Sequence, residues 1–272
     1  MMPMSVARWN YLEFGVKKPI FKIVARSLSA ARRSWANWRQ TLGLGAPKSF
    51  ERSRYGIDLR ANWADRTFQY CIYATYGREL SDFLASRRRP FMFLDIGANQ
   101  GLFSLLAAKN PACTAVLAFE PVSRTFDLLK ANIAANRFGA KITPVLAAIS
   151  DKAGHGEMHV CHAHSGGASL RTGSIAGGAG TERVDLIRST QLDSMLPARD
   201  AVIVKIDVEG HEEVVIRELM RCVHHDRFEA IFYEIDERWV NPNAIQSLLK
   251  QHGFDRFAKF GVGRHYDILA QR

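Results

Sequence analysis

The sequence predicts an α/β protein built on a doubly wound, mostly parallel seven-stranded sheet, with a basic helical extension before it. Three observations predict this. Short β-branched and aromatic runs alternate with stretches of helical period from residue 91 to residue 270. The first run, Phe91-Met92-Phe93-Leu94-Asp95-Ile96, passes straight into a glycine-bearing turn and an apolar helix, Gly97-Ala98-Asn99-Gln100-Gly101-Leu102-Phe103-Ser104. That is how a parallel sheet delivers a strand end to a ligand. Acids also close two later runs, at Glu120 and Asp207, where ligands of open α/β sheets bind.

Residues 1–54 precede this alternation and read as a basic amphipathic helix. Ile20, Val24, Leu28, Ala31, Trp35, Trp38 and Leu42 recur at spacings of four and three, with Lys22, Arg26, Arg32, Arg33 and Arg39 mostly off that face. Pro19 suits a first helical turn, and Gly43 and Gly45 end the pattern. Such a segment suits packing on its own domain or a second copy through residues 20–44, lying on anionic lipid, or organelle targeting. A turn-rich linker near Ala46-Pro47-Lys48 follows, and residues 55–272 form the folded body.

In the body, strands are expected at Phe91–Ile96, Ala115–Phe119, Ile142–Ala148, Val202–Asp207, Ala230–Glu234, Arg256–Phe260 and Asp267–Ala270. Helices are expected at Gly101–Ala108, Arg124–Asn136, Glu212–Cys222 and Ala244–Gln251. The last two strands are separated by only a short stretch, which suits an antiparallel edge hairpin. Residues 165–180 are so rich in glycine that they read as a mobile surface loop.

The turn after the first strand reads Asp-x-Gly-x-Asn-x-Gly, and Asn99 stands where dinucleotide enzymes have their second glycine. Asp95 would repel a pyrophosphate but suits a cationic or hydroxyl-bearing ligand. Gly97 and Gly101 allow close backbone approach, and Asn99 tolerates a left-handed conformation. A cofactor without phosphates fits this loop, S-adenosylmethionine first among them. Glu120-Pro121 stands where a ribose hydroxyl pair finds its acceptor. Ala148 offers a small apolar lip for an adenine ring, with Ser150 or Asp151 for its amino group.

The fourth strand breaks into Asp207-Val208-Glu209-Gly210-His211-Glu212-Glu213. Asp207, Glu209 and His211 are candidates for acid–base work, while Glu209, Glu212 and Glu213 also suit a helix N-terminus on electrostatic grounds alone. The turn is neither an Asp/Asn-Pro-Pro-aromatic strand end nor a Pro-Cys nucleophile. A hydroxyl acceptor with a neighbouring base is therefore expected.

Taken together, Asp95-Ile-Gly-Ala-Asn-Gln-Gly101, Phe119-Glu120-Pro121, Ala148-Ile-Ser-Asp151, Gln191-Leu-Asp193 and Lys205-Ile-Asp-Val-Glu-Gly-His-Glu212 resemble the FkbM-type methyltransferases. The resemblance runs from about Tyr55 to Ala270. It implies the Rossmann-like class I methyltransferase fold, S-adenosylmethionine as cofactor and O-methyl transfer. By the same resemblance Gly97, Ala98, Asn99 and Gly101 line the methionine end, Glu120 binds the ribose, and Asp207, Glu209 and His211 flank the transferring methyl. Gln191 departs from the family's usual Thr, and the basic N-terminus lies outside the match.

Composition narrows the classes further. Of the net charge of +10, residues 1–54 carry +9 from 11 Lys/Arg and 2 Asp/Glu, so the body is nearly neutral. That weighs against nucleic acid as a partner, since a basic face should belong to the fold. Cys71, Cys113, Cys161 and Cys222 are scattered and form no Cys-x-x-Cys pair, which suits a reducing compartment. His155, His159, His162 and His164 with Cys161 alternate across a strand and do not converge, so no metal site is expected. No apolar run is long enough to span a bilayer. The expectation is a cytoplasmic enzyme, in contact with the inner membrane face if the basic helix binds lipid. It would methylate a hydroxyl of a sugar, glycan, glycolipid or polyketide-like metabolite. The rival is a catalytically silent module docked through the basic helix.

Overall fold

The computed structural model describes residues 49–160, 165–170, 180–196 and 200–272. The expected helix within residues 20–44, and Cys161, His162 and His164, lie outside them. The chain begins with a small antiparallel ribbon, β1 (Phe50–Arg52) and β2 (Asp58–Arg60), then α1 (Arg66–Tyr73) and α2 (Arg78–Ser86). It continues through β3 (Phe91–Ile96), α3 (Leu102–Lys109), β4 (Cys113–Phe119), α4 (Ser123–Ala135) and β5 (Ile142–Val145). Next come β6 (Ala148–Ile149), β7 (Gly154–Val160), β8 (Gly180–Ile187) and α5 (Ser189–Asp193). Last are β9 (Ala201–Ile206), α6 (Glu212–Arg221), β10 (Phe228–Asp236), α7 (Pro242–Gln251), β11 (Arg256–Phe260) and β12 (His265–Gln271).

The main sheet has seven strands in the order β11-β12-β10-β9-β3-β4-β5. β5, β4, β3, β9 and β10 pair in parallel, and β12 alone runs against the rest, pairing antiparallel with both β10 and β11. The expected terminal hairpin is present, with β12 threaded between β10 and the edge strand β11. All six residues of β3 are buried, as a central parallel strand covered on both faces requires. Its side chains alternate: Met92, Leu94 and Ile96 pack toward α6 and α7, while Phe91 and Phe93 pack with α1, α2 and α3. Truncating the fully buried Phe93 to alanine would cost roughly 3–5 kcal/mol.

Several elements differ from the sequence-based expectation. The strand expected over Ile142–Ala148 breaks at Val145, because Pro144 sits on the edge strand β5 and Ala148–Ile149 leaves to pair with β8. β6, β8 and β7 form a separate three-stranded sheet whose hairpin was not expected. The part of the glycine-rich stretch within the described residues, 165–170, is not a free surface loop. Ser165–Gly167 forms a 3-10 turn, and Ser169 pairs with His159.

The elements before β3 were also unexpected. Asp65 caps α1 by accepting from the Thr67 N–H at 2.9 Å. β2 docks on α4 as the Arg60 and Asp58 N–H groups donate to the Asn132 and Asn136 side chains at 2.6 and 2.9 Å. This packing sets α1, and the loop after it, beside the C-terminal ends of the main-sheet strands.

Candidate active site

The carboxyl ends of β3, β4, β6 and β9, the loop after α1, residues 165–170 and the β11–β12 hairpin surround a cavity of about 440 Å³. Its size and place are those of a small-molecule site in an open α/β sheet. Gly97, Ala98, Asn99, Glu120, Pro121, Ala148, Asp207, Glu209 and His211 all line it. Asp95, Gly101 and Ser150 do not.

Each of those three sits aside for a physical reason. Asp95 lies on the β3 face of Phe91 and Phe93, beneath α3, and is fully buried. Ser104 Oγ donates to it at 2.6 Å and Lys205 Nζ lies 3.6 Å away. Burial pushes its carboxyl up, against the pull of Lys205 and Ser104. It therefore anchors the turn. Gly101 has φ of 87°, and a Cβ there would meet Leu129 Cδ1 at 2.5 Å, so this glycine serves packing on α4. Gly97, although it lines the cavity, is glycine for a similar reason: a Cβ would lie 2.0 Å from the Asp207 carbonyl oxygen. Ser150 Oγ stands 3.2 Å from His211 Nε2, placing His211 toward the end of β6.

One end of the cavity is the strand-loop-strand surface of β3 and β4. Asn99 adopts φ of 51°, the left-handed conformation expected of it. Its N–H donates to Glu120 Oε2 at 2.9 Å, and the Val122 N–H donates to Oε1 at 3.0 Å. Burial nonetheless pushes the Glu120 carboxyl up to about 7.

The other end is crowded with charge. Carboxylate oxygens of Asp207, Glu209 and Glu234 lie within 4.8 Å of one another. Tyr76 Oη donates to Asp207 Oδ2 at 2.8 Å, and Lys205 Nζ lies 3.6 Å from the same atom. Lys205 also donates to the Gly97 carbonyl at 2.6 Å. Burial pulls this lysine down, but Asp207 and Asp95 outweigh it and hold it above the ordinary value. His265 Nε2 is 2.5 Å from Glu234 Oε1, and that hydrogen bond lifts the imidazole to about 9. Burial, with Asp207 and Glu234 beside it, raises Glu209 to about 9. Asp267 rises to about 7, through burial and Glu234. Glu212 closes the turn, accepting from the Val208 and Gly210 N–H groups at 3.2 and 3.0 Å, so for this residue the helix-cap reading holds. Gln191 is likewise a cap, accepting from the Arg188 N–H at 3.0 Å, and stands outside the cavity.

The family description "methyltransferase FkbM domain" matches residues 95–256, more than half of the chain. The chain belongs to the FkbM methyltransferase domain family. The match is shorter than the Tyr55-to-Ala270 resemblance in the sequence. Methyltransferase sdnD of Sordaria araneosa is 28% identical over 199 residues, covering 61% of this chain and 74% of that protein. Among solved structures, Trm5b of Pyrococcus abyssi is 15% identical with a TM-score of 0.45, over 83% of this chain and 56% of that one. The M. jannaschii tRNA m1G37 methyltransferase is 14% identical with the same score, over 83% and 55%. The chain thus spans about half the length of these two proteins, and at such scores they carry no argument. Within the FkbM domain lie the Asn99 loop, Glu120 and the Asp207 turn. Tyr76, Phe260, His265 and Asp267 line the same cavity from outside residues 95–256, and the sequence reading missed all four.

Proposed function

We propose that this FkbM-family chain transfers the methyl of S-adenosylmethionine to a hydroxyl of a sugar, glycan, glycolipid or polyketide-like metabolite. The observation that carries the cofactor assignment is Glu120, a buried carboxylate at the tip of β4 that lines the cavity and is oriented by the Asn99 N–H. Ribose hydroxyls would donate to it. The lining also suits a cofactor without phosphates: the one lysine among its described residues, Lys205, is already committed to Gly97, Asp95 and Asp207. When bound, S-adenosylmethionine supplies a methyl on a positively charged sulfur, which the surplus of carboxylates favours. Gly97, Ala98 and Asn99 would hold its amino-acid end, and Ala148 the adenine.

For the transfer itself, the bound cofactor would supply the methyl and take back the carbon–sulfur electron pair as an acceptor hydroxyl, held beside Asp207, bonds to that carbon. The hydroxyl proton passes to Asp207, which Tyr76 and Lys205 hold in place. Positioning and exclusion of water supply the rest. A silent docked module is not favoured by membership of a methyltransferase family.

Calorimetric titration with S-adenosylhomocysteine tests the reading. One site is expected at pH 8, weakened roughly 10–100-fold in Glu120→Gln by loss of a charged hydrogen-bond acceptor. Wild-type affinity should fall as pH drops below about 7, where Glu120 takes up a proton. Absence of binding, or a Glu120→Gln variant that titrates like wild type, overturns it.

A further inference from the structure

We infer that the acceptor end admits a hydroxyl in a neutral or cationic neighbourhood and rejects acceptors bearing phosphate or carboxylate. Asp207 and Glu234, inside the family-matched residues 95–256, set that preference together with Asp267, while Tyr76, Phe260 and His265 shape the wall from outside those residues. The inference rests on the methyl-transfer reading above and adds to it the charge class of the acceptor.

The argument is one of donors and acceptors. Four carboxylates, Asp207, Glu209, Glu234 and Asp267, line this end of the cavity. Glu234 and Asp267 are direct cross-strand partners between β10 and β12, a placement that costs stability for like charges. The cations among them are already engaged: Lys205 with Gly97 O, Asp95 and Asp207, and His265 with Glu234. An anionic group entering here would be desolvated beside Asp207 and Glu234, with Lys205 and His265 among the described lining residues already committed to other partners. A hydroxyl or an ammonium would instead donate to them.

The walls beside the carboxylates are aromatic. Tyr76 packs on Phe103 at 5.8 Å and Phe260 stacks on Phe232 at 5.9 Å. They offer apolar flanks to the carbon skeleton while the carboxylates take its donors. The cavity is thus lined both by residues within 95–256 and by residues from its flanks. Tyr76 comes from the loop between α1 and α2, and Phe260, His265 and Asp267 from the terminal hairpin.

The test uses the full chain and the tritiated methyl of S-adenosylmethionine as probe. An extract of the host organism is separated by ion exchange into anionic, neutral and cationic pools, and each is offered in turn. Label is expected in the neutral or cationic pool at roughly tenfold or more above the anionic one, as a cost of one like-charge contact predicts. Asp267→Asn should lower that label severalfold while S-adenosylhomocysteine affinity stays within about twofold. Asp267→Lys should raise label in the anionic pool. Label concentrated in the anionic pool of wild type overturns the inference, as do variants that leave the distribution unchanged. Cofactor binding with no label in any pool removes the acceptor assignment and leaves the donor end standing. Loss of cofactor binding in wild type is the separate failure of the methyl-transfer reading.

Discussion

The end of the cavity proposed for the methyl donor and the end proposed for the acceptor differ in origin and in how their polar groups are satisfied. At the donor end every key group serves the fold as well. Glu120 accepts two loop N–H groups, Asp95 holds Ser104 and Lys205, and the two glycines exist because neighbouring backbone and side chains crowd them. At the acceptor end the carboxylates crowd each other, and two of them face across a strand pair. The contrast separates groups whose hydrogen bonds also build the fold from groups whose crowding carries a local cost and so points to a ligand.

The largest expected effect would break the comparison at its boundary, Asp207. Asp207→Asn keeps the shape of the side chain and its contact with Tyr76 but loses the base. Methyl transfer should fall roughly 10²–10⁴-fold, the usual contribution of general base catalysis, while S-adenosylhomocysteine affinity stays within a few-fold. Rates of labelled methyl transfer to the acceptor pool measure the first, and calorimetry the second. A variant with near-normal turnover would move the proton acceptor elsewhere, to the Glu234–His265 pair.

The same boundary marks what could be read in the sequence. β3, its turn and the Asp207 turn are local events, a strand running into a loop, and their order along the chain gave the sheet and the donor end. Asp95 was legible as a motif, but its partners were not: the alternation of β3 puts it on the side of Phe91 and Phe93, where Ser104 and Lys205 meet it. Tyr76 meets Asp207 across 131 positions and His265 meets Glu234 across 31. Nothing in the local pattern around Tyr76 or His265 announces such a partner; only the packing of α1 and the threading of β12 bring them in. The β7–β8 hairpin was missed because most of its outer face is exposed and polar.

Stability against pH sharpens the comparison next. Glu120, Glu212 and Asp267 carry values raised to about 7 and Glu209 to about 9. Each raised acid binds a proton in the folded chain that the unfolded chain has released, so stability falls as pH rises from the ordinary carboxylate range through 7 to 9. His265, raised to about 9, acts in the same direction: its contribution is complete below the ordinary imidazole value and is lost as pH passes about 9. The melting temperature should therefore drop between pH 6 and pH 9, by roughly 5 °C or more for a loss on the order of a few kcal/mol. Glu209→Gln should flatten the alkaline part of that fall and Glu120→Gln the neutral part. A melting curve that does not move, or that rises with pH, would refute the assignment of these buried protons.

The smallest effect concerns what joins the two ends. Residues 165–170 cross the cavity, with Ser165 Oγ donating to Asn99 Oδ1 at 3.0 Å and Ser169 Oγ donating to the Glu209 carbonyl at 2.8 Å. The Ser165 and Gly166 N–H groups reach Asp65 and Thr67 of the α1 cap at 3.2 and 3.0 Å. Glu209 is held at φ of 52°, a conformation a non-glycine residue adopts only when its surroundings impose it. Ser169 is the side chain that fastens this turn to the crossing segment. Ser169→Ala removes one hydrogen bond, worth about 1 kcal/mol, and should raise the dissociation rate of S-adenosylhomocysteine roughly 3–10-fold in stopped-flow displacement. The segment lines the cavity beside both Asn99 and Glu209, so its fastening is expected to slow ligand release. An unchanged dissociation rate would mean that the donor end releases its ligand without the Asp207 turn, and that the two ends are coupled by chemistry alone.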